Sequence, residues 1–313
     1  MNQLLGTGHV GTESYWDLFI NREWSELKQF YGMLRHLSLD DPWLLPMWIV
    51  LGLFACEFVF PMRSGQQKRR PGVALDVFYF FFNWMLFWVV FGTAVLAVTR
   101  TFFDGVMWEV FGREREPLIS LAGMQLWARY ALMLVVIDLL AWAGHWTLHR
   151  FDFLWRFHKV HHSALVLDVW NASRLHWIEK LYYPIFYMIP MAIIGWPTGD
   201  VLGVVFFGSL LGNVLSCYTH TNLRIPIGPL KYLFNSPQMH IWHHALEIDT
   251  RRNVNYGDAL SCWDWMFGTA YMPEHQGEIP LGFEGVEQYP TTFWGQFVAP
   301  FRNLAPRRPS GAA

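Results

Sequence analysis

The sequence predicts an all-α protein: a polytopic membrane bundle of about four to five helical spans or half-spans, with a helical, histidine-rich cap that holds a dimetal site. Three observations predict it. Of 313 residues, 53% are hydrophobic and only 15% are charged, where soluble domains carry about a quarter charged. Five apolar runs follow one another along the chain. Ten of the thirteen histidines fall between His145 and His244, most of them three or four residues apart.

The elements can be justified in order. Over Glu13–Leu37, Trp16, Phe19, Ile20, Trp24, Leu27, Phe30 and Leu34 recur at helical spacing. They predict an amphipathic helix that lies in the membrane interface or packs on a neighbour, so residues 1–41 read as an interfacial N-terminal segment. A spanning helix needs about 20 mostly apolar residues. Pro42–Phe60 and Ala74–Val98 qualify, giving two transmembrane helices with their loops over residues 42–117. Leu118–Trp142 is a third run, interrupted by Arg129 and Asp138. Leu181–Trp196 and Val201–Tyr218 follow across the turn Pro197–Asp200, as two spans or one shallow hairpin. Gly208 and Gly212, four residues apart, suit close helix packing. The end of the chain, from Arg302, reads as disordered, so residues 274–313 form a partly disordered tail.

Loop charge sets the orientation. The loop Pro61–Gly72 carries Arg63, Lys68, Arg69 and Arg70 with no acid, which marks it as cytoplasmic. Counting spans forward returns both histidine-rich segments to that same face. The expectation is an integral, multi-pass protein of a bacterial inner membrane or the endoplasmic reticulum. The sequon Asn171-Ala-Ser173 would then face the cytoplasm and stay unmodified.

Other classes are disfavoured. A net charge of −2 speaks against nucleic acid as a partner. Cys56, Cys217 and Cys262 form no spaced pair, so neither a disulfide framework nor a cysteine zinc site is expected. The chain opens without a signal-peptide pattern and shows no internal repeat.

Residues three and four apart share a helix face. His145 and His149 are such a pair; His158 faces His161 and His162, and His240 faces His243 and His244. Three helical stretches can therefore aim two or three imidazoles each at one centre, with His176 and His220 standing alone nearby. Burying so many imidazoles without partners is costly, and a metal relieves the cost. The alternative, a pH sensor, needs no repeated spacing. Eight to ten ligands exceed the need of one tetrahedral zinc and suit two metals with room for an exogenous oxygen ligand. No His-Glu-x-x-His zinc-protease motif is present.

The pattern His145-x3-His149, His158-x2-His161-His162, His240-x2-His243-His244 resembles that of the fatty acid hydroxylase / sterol desaturase superfamily of membrane di-iron oxygenases. The stretches from Trp155, Ser173 and Asn253 agree with it, although Trp177 stands where relatives usually have Pro, and Arg224 where some have His. The resemblance covers about Leu118 to Tyr271 and makes 118–273 the catalytic domain. It implies two iron ions held by His145, His149, His158, His161, His162, His240, His243 and His244, with His176 and His220 as further ligands. It also implies O2-dependent hydroxylation of a lipid C–H bond (fatty acyl, sterol or related lipid), or desaturation of such a lipid.

Metal-bound imidazoles usually donate their other N–H to a carboxylate or carbonyl. Asp138, seven residues before His145, is nominated for that supporting role, with Asn255, Glu247 and Asp264 added by the resemblance. The chain has no His-Pro dipeptide, hence no fused cytochrome b5 haem motif. A separate donor, cytochrome b5-like or ferredoxin-like, is expected to dock on the basic face. Rival readings are a zinc-dependent membrane hydrolase, which needs a water-activating carboxylate, and a metal transporter or lipid-binding protein.

Overall fold

A computed structural model describes residues 45–66, 70–83, 119–121, 123–195, 212–246, 254–273 and 279–302, with four isolated positions before them. The N-terminal amphipathic segment, most of the Ala74–Val98 run, the turn at Pro197 and the end of the chain lie outside these residues. So do Gly208 and Glu247.

Helix α1 (Leu45–Val59) forms from the first apolar run. It exposes Leu45, Trp48, Leu51 and Phe58 while Val50 is buried. Helix α2 (Val73–Phe81) follows a left-handed Gly72, φ 88°. Phe80 of α2 joins Val50, Val169, Trp170, Ala172 and Cys217 in one apolar cluster.

The third run departs from expectation at both ends. Ile119–Ser120 is a short strand paired in parallel with Ile194–Gly195, a small exception to the all-α reading. Helix α3 begins at Leu126 and continues past Trp142 to Arg150. The apolar span and the first histidine pair thus share one helix, because nothing between Trp142 and Phe151 breaks it. Among the described residues α3 is the one helix long and apolar enough to cross a membrane, and only 17% of its apolar window is buried. A soluble core helix would be covered; this one turns its side chains outward. The shorter α1 falls below the usual spanning length.

Helix α4 (Asp152–His162) turns back directly after α3, and α5 (Trp177–Ile193) packs on both. A 3-10 turn at Val169–Ser173 lies between them, capped by Asp168. Helix α6 (residues 212–220) carries His220 at its end. Helix α7 (Pro237–His243) starts at Ser236, whose hydroxyl accepts the Met239 N–H. Helices α8 (Cys262–Phe267) and α9 (Phe293–Val298) complete the described chain.

A buried polar layer joins these elements. Arg70 Nη2 lies 2.7 Å from both Asp76 and Asp168, and Arg174 also pairs with Asp76. Glu57 of α1, fully buried, accepts the N–H groups of Val169 and Asn222. Arg63 donates from its backbone to Asn222 and from its guanidinium to Leu167 O. Two of the four basic residues read as an orientation signal are therefore structural ties: Arg63 holds its segment beside Asn222, just after His220, and Arg70 is tied to Asp76 and Asp168. Asn171 of the sequon is also buried: its Oδ1 accepts the Asp168 N–H, so burial itself keeps it from a glycosylating enzyme.

Candidate metal centre

Nine histidines converge, in two adjacent groups. His145, His149, His158, His162 and His243 bring one ring nitrogen each to within 4.8 Å of one another; His161, His220, His240 and His244 do the same. The groups touch: the rings of His162 and His244 stack at 4.4 Å between centroids.

The partition follows from helix geometry. Successive residues point about 100° apart around an α-helix, and residues four apart only about 40°. His158 and His162 therefore serve one group, while His161 turns to the other. In α7 the arrangement is mirrored, with His240 and its C-cap His244 in the second group and His243 in the first. The expectation that each triplet aims at a single centre is corrected on this ground.

The far nitrogens are held by acceptors. His145 Nδ1 lies 2.8 Å from Tyr256 O, His243 Nδ1 2.9 Å from Val254 O, and His220 Nδ1 2.6 Å from Ser216 O. His158 Nδ1 lies 2.7 Å from Glu179 Oε2, a buried carboxylate. Carbonyls and carboxylates accept only, so each of these rings carries a proton on Nδ1 and turns its Nε2 inward, where a metal would bind. Yet His145 Nε2 and His158 Nε2 stand 3.0 Å apart, and His162 and His243 Nε2 3.1 Å. His220 Nε2 is 3.1 Å from that of His161 and 3.2 Å from that of His240. In the first of these pairs both Nδ1 protons are engaged elsewhere, by Tyr256 O and Glu179, and the two Nε2 atoms are left facing each other.

A cation between them resolves the conflict. Imidazole–metal bonds of about 2.1 Å place neighbouring ligand atoms about 3 Å apart on one ion. Buried ring nitrogens of two further members, without a hydrogen-bond partner among the described residues, point the same way: His149 Nε2 and both nitrogens of His244. Leaving such atoms unsatisfied costs about 1–3 kcal/mol each. Burial and the neighbouring imidazoles hold His161, His162, His240 and His244 well below the ordinary histidine range. Burial likewise takes His220 down to about 4 and His243 to about 3. These rings are neutral at pH 7, the form that binds a metal.

Four nominated residues act differently from expectation. His176 stands apart from both groups. Its Nδ1 accepts the Ile178 N–H and its Nε2 donates to Phe297 O, so both nitrogens are occupied. Asp138 touches no histidine in either group; its oxygens accept the N–H groups of Ala259 and Leu260 and the Trp263 indole. It clasps a loop because that loop, not His145, lies over its helix face. Asn255 and Asp264 support the carbonyls that hold the histidines. Asn255, with a positive φ of 56°, bonds Met239 O and Tyr271 through its side chain and sits between Val254 and Tyr256. Asp264 accepts the N–H groups of Tyr256 and Gly257 together with the Trp142 indole. Position 257 must be glycine, since a Cβ there would lie 2.3 Å from Leu260 O.

Glu179 was missed. An acid in the first turn of a helix is ordinary in a sequence, and nothing in its spacing marked it. The Val254, Tyr256 and Ser216 carbonyls carry no side-chain signature at all. Beside α7, a groove of about 450 Å³ runs past Ile225, Ile227, Tyr232 and Gln238, and Gln238 lies two residues before His240.

Residues 130–269 match the family model for fatty acid hydroxylase. Over those residues the chain is similar to fatty acid hydroxylases. Among curated proteins it is 32% identical to ornithine lipid hydroxylase OlsE of Rhizobium tropici, over 54% of this chain and 49% of that protein. It is 32% identical to the alkylglycerol monooxygenase of Xenopus tropicalis and 34% identical to that of Danio rerio, each over 42% of this chain and 28% of the relative. The matched region thus spans half or less of these relatives' length. No solved structure gives a significant match. These relatives are named as a lipid hydroxylase and two monooxygenases, and all nine clustered histidines lie inside the matched residues.

Proposed function

We propose that the protein is a membrane-bound di-iron oxygenase that hydroxylates a C–H bond of a lipid. His145, His149, His158, His162 and His243 hold one iron, and His161, His220, His240 and His244 the other. The observation that carries this reading is the meeting of inward-facing imidazole nitrogens in two adjoining sets with no carboxylate among them. Nitrogen-only sites suit iron or zinc, but zinc hydrolysis of the metalloprotease kind pairs the ion with a free carboxylate as general base. The one carboxylate hydrogen-bonded to a clustered histidine, among the described residues, is Glu179, already engaged by His158 and the His176 N–H.

Bound iron would supply O2 activation and oxidation of the C–H bond. One oxygen atom enters the product; the other leaves as water with two electrons and two protons. The chain's own part is to hold His158, His145, His243 and His220 in one tautomer through Glu179, Tyr256 O, Val254 O and Ser216 O, and to exclude bulk water by burial. Electrons come from a separate cytochrome b5-like or ferredoxin-like donor that docks on the cytoplasmic face. Ornithine lipids and alkylglycerols, named in these three relatives, are the first substrates to test.

The test is anaerobic iron loading of the full chain in nanodiscs, followed by metal analysis and lipid mass spectrometry under 18O2. Two irons per chain and a labelled hydroxyl on a lipid are expected, with both product and one iron lost in His161→Ala. One metal or none per chain, or turnover without O2, would overturn the proposal. A lipid lighter by two hydrogens would assign the same centre to desaturation.

A further inference from the structure

Residues 225–234 and 262–268 form one exposed surface that the metal centre does not use. Ile225, Leu230, Tyr232, Leu233 and Phe234 are exposed on the first segment, and Trp265, Met266 and Phe267 on the second, with Met266 69% exposed. The segments are one unit. The Tyr232 and Trp265 rings meet at 4.8 Å, the Trp265 indole and the Ser261 hydroxyl both donate to Lys231 O, and Phe234 bridges Leu260. The acid within these segments, Asp264, is buried. Their one other charged side chain is Lys231, whose Nζ lies 5.3 Å from the Tyr232 ring centre. An apolar surface of this kind on a soluble protein marks an interaction site.

Its attachment says what it meets. Trp142 of α3 stacks on Phe267 at 4.6 Å, and Asp138 of α3 holds Ala259, Leu260 and Trp263. At 1.5 Å per residue, Asp138 and Trp142 lie about 18 and 24 Å along α3 from Leu126. The hydrocarbon layer is about 30 Å thick. The patch is therefore pinned to the candidate span at a depth still inside the lipid, and is continuous with its exposed face. Irregular backbone at that depth requires its polar groups to be satisfied by protein, which is what Asp138, Asp264 and Lys231 O provide.

We propose that residues 225–234 and 262–268 form a wedge that sinks into the acyl-chain layer of one leaflet, with Lys231 reaching up to the phosphates. Tyr232 and Trp265 then sit where amphipathic rings settle, and the lysine stem lies along them while its ammonium stays with the headgroups. The groove between Ile225 and Gln238 opens beside the wedge, so its mouth faces lipid. This proposal rests on the membrane-bound part of the function proposed above, and is independent of the metal.

Carbene labelling separates the two. The full chain is placed in phosphatidylcholine nanodiscs with a phosphatidylcholine bearing a diazirine in its acyl chain, irradiated, and mapped by peptide mass spectrometry. Adducts on Leu230–Phe234 and Trp265–Phe267 at the level of Trp127 and Val135 on α3, and several-fold above the exposed Glu284, are the expected result. Labelling of α3 with the two segments at the Glu284 level would overturn the wedge alone. Labelling of neither would overturn both the wedge and the membrane reading of α3. Crosslinks from Met266 to a second copy of the chain, in place of lipid adducts, would assign the surface to self-association and overturn the wedge as well.

Discussion

Glu179 decides which nitrogen of His158 turns inward. Its Oε2 takes the Nδ1 proton while Oε1 accepts the His176 N–H. In Glu179→Gln the amide oxygen can keep the backbone bond, but the amide NH2 then meets Nδ1 and moves the ring proton toward the ion. Metal affinity is expected to fall about 10–100-fold with little change in melting temperature, as read by chelator competition and thermal unfolding. An unchanged affinity would remove Glu179 from the site. Protonation gives a second prediction at this scale. His220 and His243 fold with values near 4 and 3 against an ordinary 6.5, so between these limits the unfolded chain binds more protons and stability rises with pH. The metal-free protein should melt progressively lower as pH falls from about 6.5 toward 4, a loss visible in a pH series of melting curves. The eight histidines of the spaced motifs were legible in the sequence because helical spacing places them. His220 and His176 were not separable, since both are lone histidines near the same edge. Only the fold shows that one ends α6 facing the second group while the other spends both nitrogens on Ile178 and Phe297.

At the scale of elements, the repeated His-x2-His-His spacing acts as a divider. Two helices each contribute two rings to one group and one to the other, which locks α4 and α7 in rotation relative to each other. The spacing was plain in the sequence, but the partition needed the positions of both helices. The support for α7 comes from the 254–257 segment, where Asn255 alone makes three side-chain bonds at a positive φ. Asparagine tolerates that conformation, whereas alanine costs about 1–2 kcal/mol there. Asn255→Gly should lose about 3 kcal/mol, near 1 for each bond. Asn255→Ala should lose a further 1 kcal/mol or so from strain, with metal content falling in both. Chemical unfolding of the three proteins in detergent gives the order. An alanine variant as stable as the glycine one would show that the backbone conformation carries no cost.

For the whole molecule, the charge deficit and the apolar runs pointed to lipid, and α3 with its outward apolar face agrees. The sequence could not show that the basic loop is sewn into the histidine cap, because the partners of Arg63 and Arg70 come from residues some hundred positions away. That tie makes a prediction about sidedness. Ser64 is exposed in the loop, and Asn222, bonded to Arg63, lies two residues beyond His220. Glu284 is exposed next to Phe283, whose ring lies against Trp155 of α4. Both positions are therefore tied to the histidine cap. In a Cys56→Ser background, which removes the exposed native thiol, Ser64→Cys and Glu284→Cys should react with a membrane-impermeant maleimide from the same side of sealed vesicles. That side should be the cytoplasmic one, where an excess of Lys and Arg is retained and a soluble electron donor can reach the centre. Reaction of the two positions from opposite sides would break the link between loop and cap. Reaction of both from the outer side would keep the link and reverse the orientation, placing the donor's docking face across the membrane.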